Sequence, residues 1–261
     1  MERLIAIAVL IVLLQACATR IELPRADADA AHAAIRFQSS SVVPPVDDEL
    51  LAPHRLQPGD IILTSASTLR SGGIRLMTWS SVSHAALYIG EGWIVEALGS
   101  GVHVRRLEGL LLEESIAVVL RYPGLRPDQQ AQITDYALEQ AGARFNFVGV
   151  TLHVPFSLAR RACEMPPLLP EAVRDVCVRS VGVLNYLAAS ETQLFCSQLV
   201  MQAYQHAGVQ VTDADPRLIT PADILHMREG DVPSVAVRQP LRFVGHLKYE
   251  PPSTVVAALN Q

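Results

Sequence analysis

The sequence predicts an α+β fold in a single domain, with an antiparallel sheet packed against helices. Short apolar segments separated by glycine turns fill much of the first half of the chain, whereas segments with helical spacing and capping residues lie mainly in the second half. The chain has 261 residues, of which 50% are hydrophobic and 18% charged. This composition supplies a sizeable core and excludes a mostly disordered protein.

The strands are predicted from turn signals and from runs of β-branched and apolar residues. Gln57-Pro58-Gly59-Asp60 is a turn, and a short buried strand follows it at residues 61–63. Strands at residues 83–89 and 93–98 flank the loop Gly90-Glu91-Gly92, whose glycines tolerate positive φ. Further strands are predicted at residues 102–106, 117–121 and 241–247. Short loops between consecutive strands favour a mostly antiparallel sheet.

Three helices are predicted from their end signals. Pro127-Asp128 begins a helix that runs to about residue 141 and stops at Gly142. A second helix covers residues 196–207, ends at Gly208 and carries one apolar face, formed by Leu199, Val200, Ala203, Tyr204 and Ala207. Thr220-Pro221-Ala222-Asp223 has the cap, first-turn proline and acidic third position of another helix start.

The charge pattern argues against a nucleic-acid partner. The sequence has 21 Lys and Arg against 26 Asp and Glu, for a formal charge of -5, and no block of five or six like charges. The one long apolar run, residues 4–14, has eleven uncharged residues and is shorter than the roughly 18 that a membrane-spanning helix needs. A polytopic membrane protein is therefore excluded.

The N-terminus has the pattern of a bacterial lipoprotein signal. The apolar run ends in Leu14-Gln15-Ala16-Cys17, in which a small residue directly precedes a cysteine. A lipid on the Cys17 sulfur and cleavage before it would leave an acylated N-terminus that anchors the protein in a membrane. An ordinary cleaved signal peptide and an uncleaved anchor are the alternatives. Ala18, and not aspartate, follows the cysteine. In this the chain resembles lipoproteins that are sorted to the outer membrane.

The predicted organisation is a signal peptide at residues 1–16, a lipidated tether at residues 17–51 and one folded domain at residues 52–261. The tether is rich in Ala, Asp, Ser and Pro, and a short helix is expected within it at residues 26–37. A flexible segment of roughly 30 residues has an end-to-end distance on the order of 30 Å. The folded part is therefore expected to stand off the membrane.

Four cysteines, at positions 17, 163, 177 and 196, constrain the redox chemistry. If Cys17 carries lipid, an oxidising compartment leaves one pair and one free thiol. Cys163 and Cys177 share a proline-rich segment and are the expected disulfide. Cys196 heads a helix, where the helix dipole favours a thiolate and a nearby histidine would make it a nucleophile. The alternative is a buried cysteine that only packs the start of the helix.

His84 and Glu96 are the candidate partners of that thiol. His84 lies in a predicted strand, where a histidine is more often a core residue than a catalyst, but Glu96 is a carboxylate in an apolar strand and needs a partner. A three-residue loop, Gly90 to Gly92, would pair His84 with Leu98 and make Glu96 its diagonal neighbour on the same face. A two-residue loop would turn Glu96 to the other face.

In this order, several short motifs resemble the YaeF/YiiX family, circularly permuted relatives of the NlpC-type papain-like hydrolases. The resemblance is carried by Pro58-Gly59-Asp60-Ile61-Ile62, by the run from Ser81 to Gly90, by Val95-Glu96-Ala97 and by Phe195-Cys196-Ser197-Gln198-Leu199-Val200. The signal, the cysteine pair and the segments Pro221 to Asp223 and Val244 to Lys248 extend it over nearly the whole mature chain, closest to the YaeF-type lipoproteins.

The resemblance implies a permuted papain-like fold and a catalytic triad. Cys196 would be the nucleophile, His84 the general base and Glu96 the residue that orients the imidazole. The permutation accounts for the histidine preceding the cysteine in the chain. One departure is Phe145, where relatives often carry tyrosine, which puts in doubt any role of a hydroxyl at that position.

Two classes of function follow. The first is an envelope-anchored cysteine hydrolase that cleaves amide or ester bonds in a peptidoglycan peptide or a lipidic N-acyl substrate, with acyl transfer as a related reaction. The second is an inactive lipid- or peptide-binding lipoprotein with the same fold. A metal site is disfavoured because neither HExxH nor CxxC spacing occurs, so no cofactor is expected.

Overall fold

The computed structural model describes residues 19–22, 34–37, 43–46, 49–65, 81–146, 163, 173, 176, 177, 180, 193–228 and 235–250. The strands in these ranges are β1 (Thr19–Glu22), β2 (Ala34–Phe37), β3 (Ile61–Ser65), β4 (His84–Gly90), β5 (Trp93–Leu98), β6 (Gly101–Arg106), β7 (Ile116–Arg121), β8 (Arg144–Phe145), β9 (Gln193–Leu194) and β10 (Arg242–Tyr249). The α-helices are α1 (Leu107–Glu113), α2 (Pro127–Glu139), α3 (Cys196–His206) and α4 (Pro221–His226), with 3-10 turns at Pro53–Arg55 and Pro216–Leu218.

The centre of the fold is a six-stranded sheet with the order β10-β7-β3-β4-β5-β6. Each neighbouring pair is antiparallel. The predicted α+β class with an antiparallel sheet is confirmed. Separate two-stranded pairings join β1 to β2 and β8 to β9.

Apolar side chains cover both faces of this sheet, because alternate residues of a strand point to opposite sides. In β3, Ile61 and Leu63 pack in a large cluster with residues of α2, α3 and α4, whereas Ile62 packs in a second cluster with Leu107 and Leu110 of α1. Helices α2 to α4 therefore cover one face and α1 the other. None of the described helices is long and apolar enough to cross a lipid bilayer.

The helix ends follow their capping residues. Helix α2 begins at Pro127, with the Gln129 side chain accepting from the Arg126 N–H, and Gly142 follows its end with φ 85°. In α4, Thr220 and Asp223 form the predicted capping box. Helix α1 was not predicted, because it has only seven residues and contains Gly109, which disfavours a helix interior.

The β4–β5 hairpin differs from the prediction in its loop but not in its register at Glu96. Gly90 belongs to β4 and pairs with Trp93, so the loop has only two residues, Glu91 and Gly92. An irregularity between Tyr88 and Gly90 shifts the register, and beyond it Ala86 pairs with Glu96, the pairing that the predicted three-residue loop would give. The bulge therefore restores the face that a regular two-residue loop would have reversed.

The stretch predicted as a tether also has local structure. Ala34–Phe37 is a strand paired with Thr19–Glu22, so the predicted helix over residues 26–37 is wrong at its end, and residues 26–33 lie outside the described residues. Val43 and Leu51 are buried, and their backbone N–H groups donate to Ser81 Oγ and the His246 carbonyl. Apolar side chains thus dock the last part of this stretch on the folded domain. The predicted signal segment and Cys17 lie outside the described residues.

Candidate active site

Cys196 is the first residue of helix α3, which packs against the sheet through a mostly apolar face. The preceding residue, Phe195, is extended, and strand β9 leads directly into it. The thiol therefore lies at the N-terminal end of an 11-residue helix, where the helix dipole favours a negative charge.

His84 and Glu96 face each other across β4 and β5. Glu96 pairs with Ala86, and His84 lies two residues before Ala86, so the two side chains are diagonal neighbours on one face. His84 Nε2 lies 2.5 Å from Glu96 Oε2, and the side chains are 15% and 0% exposed. This short contact engages Nε2 of the imidazole and leaves Nδ1 as the nitrogen available to a second partner.

His84 also forms a hydrogen bond with Cys196. Burial alone would lower the pKa of His84, but hydrogen bonds to Cys196 and Glu96 and the charges of both outweigh it and raise the pKa to about 10. Burial likewise raises the pKa of the Cys196 thiol, yet its contacts with His84 and with the N–H groups of Ala85 and Ser197 bring the pKa below its ordinary value. The geometry therefore favours a thiolate beside an imidazolium.

Arg105 was missed by the sequence analysis. It lies on β6, two residues from His103, which pairs with Glu96, and its Nε forms an ion pair with Glu96 Oε1. Two signals pointed to it: the short turn between Leu98 and Gly101 sets this register, and a fully buried carboxylate calls for more than one partner.

The motif Pro58-Gly59-Asp60 has a structural role. Asp60 is buried, accepts two hydrogen bonds from Arg121, at 2.6 and 2.7 Å, and accepts one from the Gln57 N–H at 2.8 Å. The carbonyl of Gly59 accepts from the hydroxyl of Tyr204 in α3 at 2.5 Å. This turn thereby ties the sheet to the helix that carries Cys196.

The remaining predicted residues make other contacts. Cys163 and Cys177 form a disulfide with their Cα atoms 5.8 Å apart, and Cys196 is a free thiol. Phe145 is partly buried against the larger apolar cluster and pairs with Leu194 of β9. In the part of the chain that the structure describes, no three His, Cys, Asp or Glu side chains are grouped as a metal site.

Comparisons with known proteins support the resemblance to the YaeF/YiiX family. The family described as permuted papain-like amidase enzyme, YaeF/YiiX, C92 family, matches residues 55–150. The probable lipoprotein peptidase YaeF of Escherichia coli (strain K12) is 35% identical over 245 residues, which cover 90% of this chain and 89% of that protein.

A solved structure is also similar. The crystal structure of the metalloprotein YiiX from Escherichia coli O157:H7 aligns with 74% of this chain and 98% of its own, at 20% identity and a TM-score of 0.44. The family match and the extent of the YaeF alignment decide the assignment. The chain belongs to the YaeF/YiiX family of permuted papain-like amidases.

Proposed function

We propose that the protein is a lipid-anchored cysteine amidase of the cell envelope. In this proposal Cys196 is the nucleophile, His84 the general base and acid, and Glu96 the residue that orients His84. The observation that carries the proposal is the chain of contacts from the free thiol at the start of α3 to His84 and on to the buried carboxylate of Glu96.

The reaction follows from these contacts in two steps. The Cys196 thiolate attacks the carbonyl carbon of the substrate amide, and when the C–N bond breaks, the His84 imidazolium gives its proton to the departing amine. The product of this step is a thioester on Cys196. Water then attacks the thioester while His84 accepts its proton, and the carboxylic acid leaves as the Cys196 thiolate and the His84 imidazolium are restored.

Glu96 serves both steps through His84. Its Oε2 faces Nε2, which keeps the imidazole in one orientation while Nδ1 exchanges the proton. Because Glu96 is fully buried, its negative charge is poorly screened by water and stabilises the imidazolium that forms during the reaction.

The anchor belongs to the same proposal. Acylation of Cys17 would hold the enzyme at a membrane, and Ala18 favours the outer membrane with the catalytic domain in the periplasm. The sequence Leu14-Gln15-Ala16-Cys17 and the similarity to a probable lipoprotein peptidase support this part.

Two substrate classes fit an anchored amidase: the peptide bonds of peptidoglycan stems and the amide of an N-acylated lipid. In the experiment, full-length protein in detergent micelles is incubated with a substrate of each class, and the release of amine is measured. Cys196→Ser and His84→Gln should abolish turnover of whichever class is cleaved. His206→Gln, a change at the far end of α3, should keep full activity and is the matched control.

Mass spectrometry of the reacting protein completes the test. An acyl adduct on Cys196 that disappears as product accumulates is the expected result. Unchanged turnover in Cys196→Ser, or no turnover by the wild-type protein of either substrate class, would count against the proposal and, in the second case, favour a binding lipoprotein.

A further inference from the structure

The buried carboxylate of Glu96 has a second charged partner. Its Oε2 contacts His84, and its Oε1 forms an ion pair with Nε of Arg105. Both carboxylate oxygens are therefore occupied, each by a different strand. A carboxylate held at both oxygens cannot rotate about its terminal bond without breaking a contact.

The sheet register builds this arrangement. Glu96 pairs with His103 and Ile94 pairs with Arg105, so Arg105 is displaced from Glu96 by two residues along β6. His84 is displaced from Glu96 by two residues in the same way along β4. His84, Glu96 and Arg105 thus form a diagonal row over three adjacent strands.

Arg105 is itself held by Glu113. Its Nη1 and Nη2 donate to the two carboxylate oxygens of Glu113, at 3.1 and 2.9 Å. Glu113 is the last residue of α1, which is fixed to the sheet by the buried residues Leu107 and Leu110. The planar guanidinium spans two carboxylates, which a lysine ammonium cannot match in geometry.

We propose that Arg105 is a positioning residue of the amidase site: it fixes Glu96 so that Oε2 faces His84, and Glu113 fixes Arg105. The inference rests on the proposed roles of Cys196, His84 and Glu96. Arg105 acts through Glu96 and His84, so its loss should lower the rate of the chemical step and weaken the stabilisation of the Cys196 thiolate.

The neighbouring residue provides a matched control. Arg106 follows Arg105 on the same strand, so its side chain starts on the opposite face, and it pairs with Glu108 and stacks over Trp93. Arg105→Met and Arg106→Met remove the same charge from adjacent positions. Only the first removes a partner of Glu96.

The experiment measures two properties of the full-length protein: kcat and KM for amide hydrolysis, and the rate of Cys196 alkylation by iodoacetamide as a function of pH. In Arg105→Met we expect kcat to fall roughly 10- to 100-fold with KM almost unchanged. The acid limb of the alkylation profile should move to higher pH, because the thiolate is less well stabilised. Arg106→Met should match the wild-type protein in both measurements.

Two further variants separate positioning from a loss of fold. Arg105→Lys keeps the charge and should regain part of the lost rate. Glu113→Gln should show a smaller loss, and combining it with Arg105→Met should add almost nothing, because Glu113 acts through Arg105. Circular dichroism and thermal melts identify the temperature at which every variant is folded, and the rates are measured there.

A wild-type alkylation profile in Arg105→Met, or an equal loss of kcat in Arg105→Met and Arg106→Met, would overturn the inference. Failure of the proposed function looks different: either Cys196→Ser would remain active, or the wild-type protein would turn over neither substrate class. The alkylation profile needs no substrate and tests Arg105 in either case.

Discussion

His84 Nε2 lies 2.5 Å from Oε2 of Glu96, a carboxylate with no exposed surface. The contact joins a residue at the start of β4 to one in the middle of β5. It depends on a bulge in β4 that turns both side chains to one face. The orientation of the proposed catalytic histidine thus depends on the bulge at the loop end of β4, whereas Cys196 contacts His84 at the other end of that strand.

Replacing Glu96 by glutamine should reduce catalysis without abolishing it. The amide has one oxygen where the carboxylate has two and carries no charge, so it can offer an oxygen to His84 or to Arg105 but not to both. We expect kcat to fall roughly 10- to 100-fold and the free energy of unfolding to fall by about 1–3 kcal/mol. Steady-state kinetics and urea denaturation measure the two effects.

Glu108→Gln is the control for this change. Glu108 belongs to an exposed ion pair with Arg106, so its loss should change stability by less than about 1 kcal/mol and leave kcat unchanged. Full activity of Glu96→Gln would contradict the role assigned to Glu96.

The Asp60 turn should matter for stability and not for chemistry. Asp60→Asn removes the charge that pairs with the mostly buried Arg121, and breaking a buried pair costs about 3 kcal/mol. We expect a lower urea midpoint with kcat of the folded protein unchanged. Asp213→Asn, in the exposed pair with Arg238, should cost under about 1 kcal/mol. Equal stability of the two variants would show that the turn is not a structural anchor.

The sequence left the face of Glu96 open, because a three-residue loop would make it a diagonal neighbour of His84 and a two-residue loop would turn it away. The structure has a two-residue loop and reaches the first arrangement through a bulge. The bulge near Tyr88 has no sequence signal of its own, because Tyr88-Ile89-Gly90 also fits a regular strand end.

Helix α1 and the contact between Arg105 and Glu113 could not be predicted from the sequence pattern. Seven residues with an internal glycine carry a weak helical signal, and α1 is stabilised by packing Leu107 and Leu110 on the sheet. Without α1, Glu113 had no assigned place near Arg105. The position of Arg105 itself was derivable from the β5–β6 turn.

The contact between Cys196 and His84 could not be predicted from local sequence patterns either. The two residues are far apart in the sequence, and no local pattern brings the start of a helix to the start of a strand. Only the resemblance to permuted papain-like hydrolases suggested that they meet. Long-range packing through Tyr204 and the Asp60 turn positions α3 in the structure.

The disulfide can be tested by peptide mapping under non-reducing conditions. We expect a Cys163–Cys177 peptide and an unpaired Cys196. The bridge spans 14 residues, so Cys163→Ser with Cys177→Ser should lower the free energy of unfolding by about 3 kcal/mol in the chain-entropy model. A peptide that links Cys196 to either of the other two cysteines would contradict this pairing.

Lipidation predicts both a mass and a location. The mature protein should begin at Cys17 and carry acyl chains, and two or three chains anchor a protein stably. Cys17→Ala should release the protein from the membrane fraction. An unmodified N-terminus at another residue, together with a Cys17→Ala variant that stays in the membrane fraction, would rule out the lipid anchor.

The pH dependence of Cys196 alkylation tests the central claim most directly. The pKa of Cys196 is lowered and that of His84 is raised to about 10, so the thiolate should form at lower pH than that of an ordinary cysteine and keep its imidazolium partner at mildly alkaline pH. Protonation of the thiolate should slow alkylation only as the pH falls through the lowered pKa of Cys196. The imidazolium should lose its proton only as the pH approaches the raised pKa of His84.

The measurement compares the wild-type protein, His84→Gln and the His206→Gln control from about pH 6 to about pH 8.5. Over this range the alkylation rate of an ordinary thiol rises about tenfold for each pH unit. We predict that the rise of the alkylation rate with pH begins at lower pH in the wild-type protein and the control than in His84→Gln, where burial still raises the pKa of Cys196 and the contacts with His84 are lost. A steep wild-type profile that superimposes on that of His84→Gln would contradict the Cys196–His84–Glu96 site.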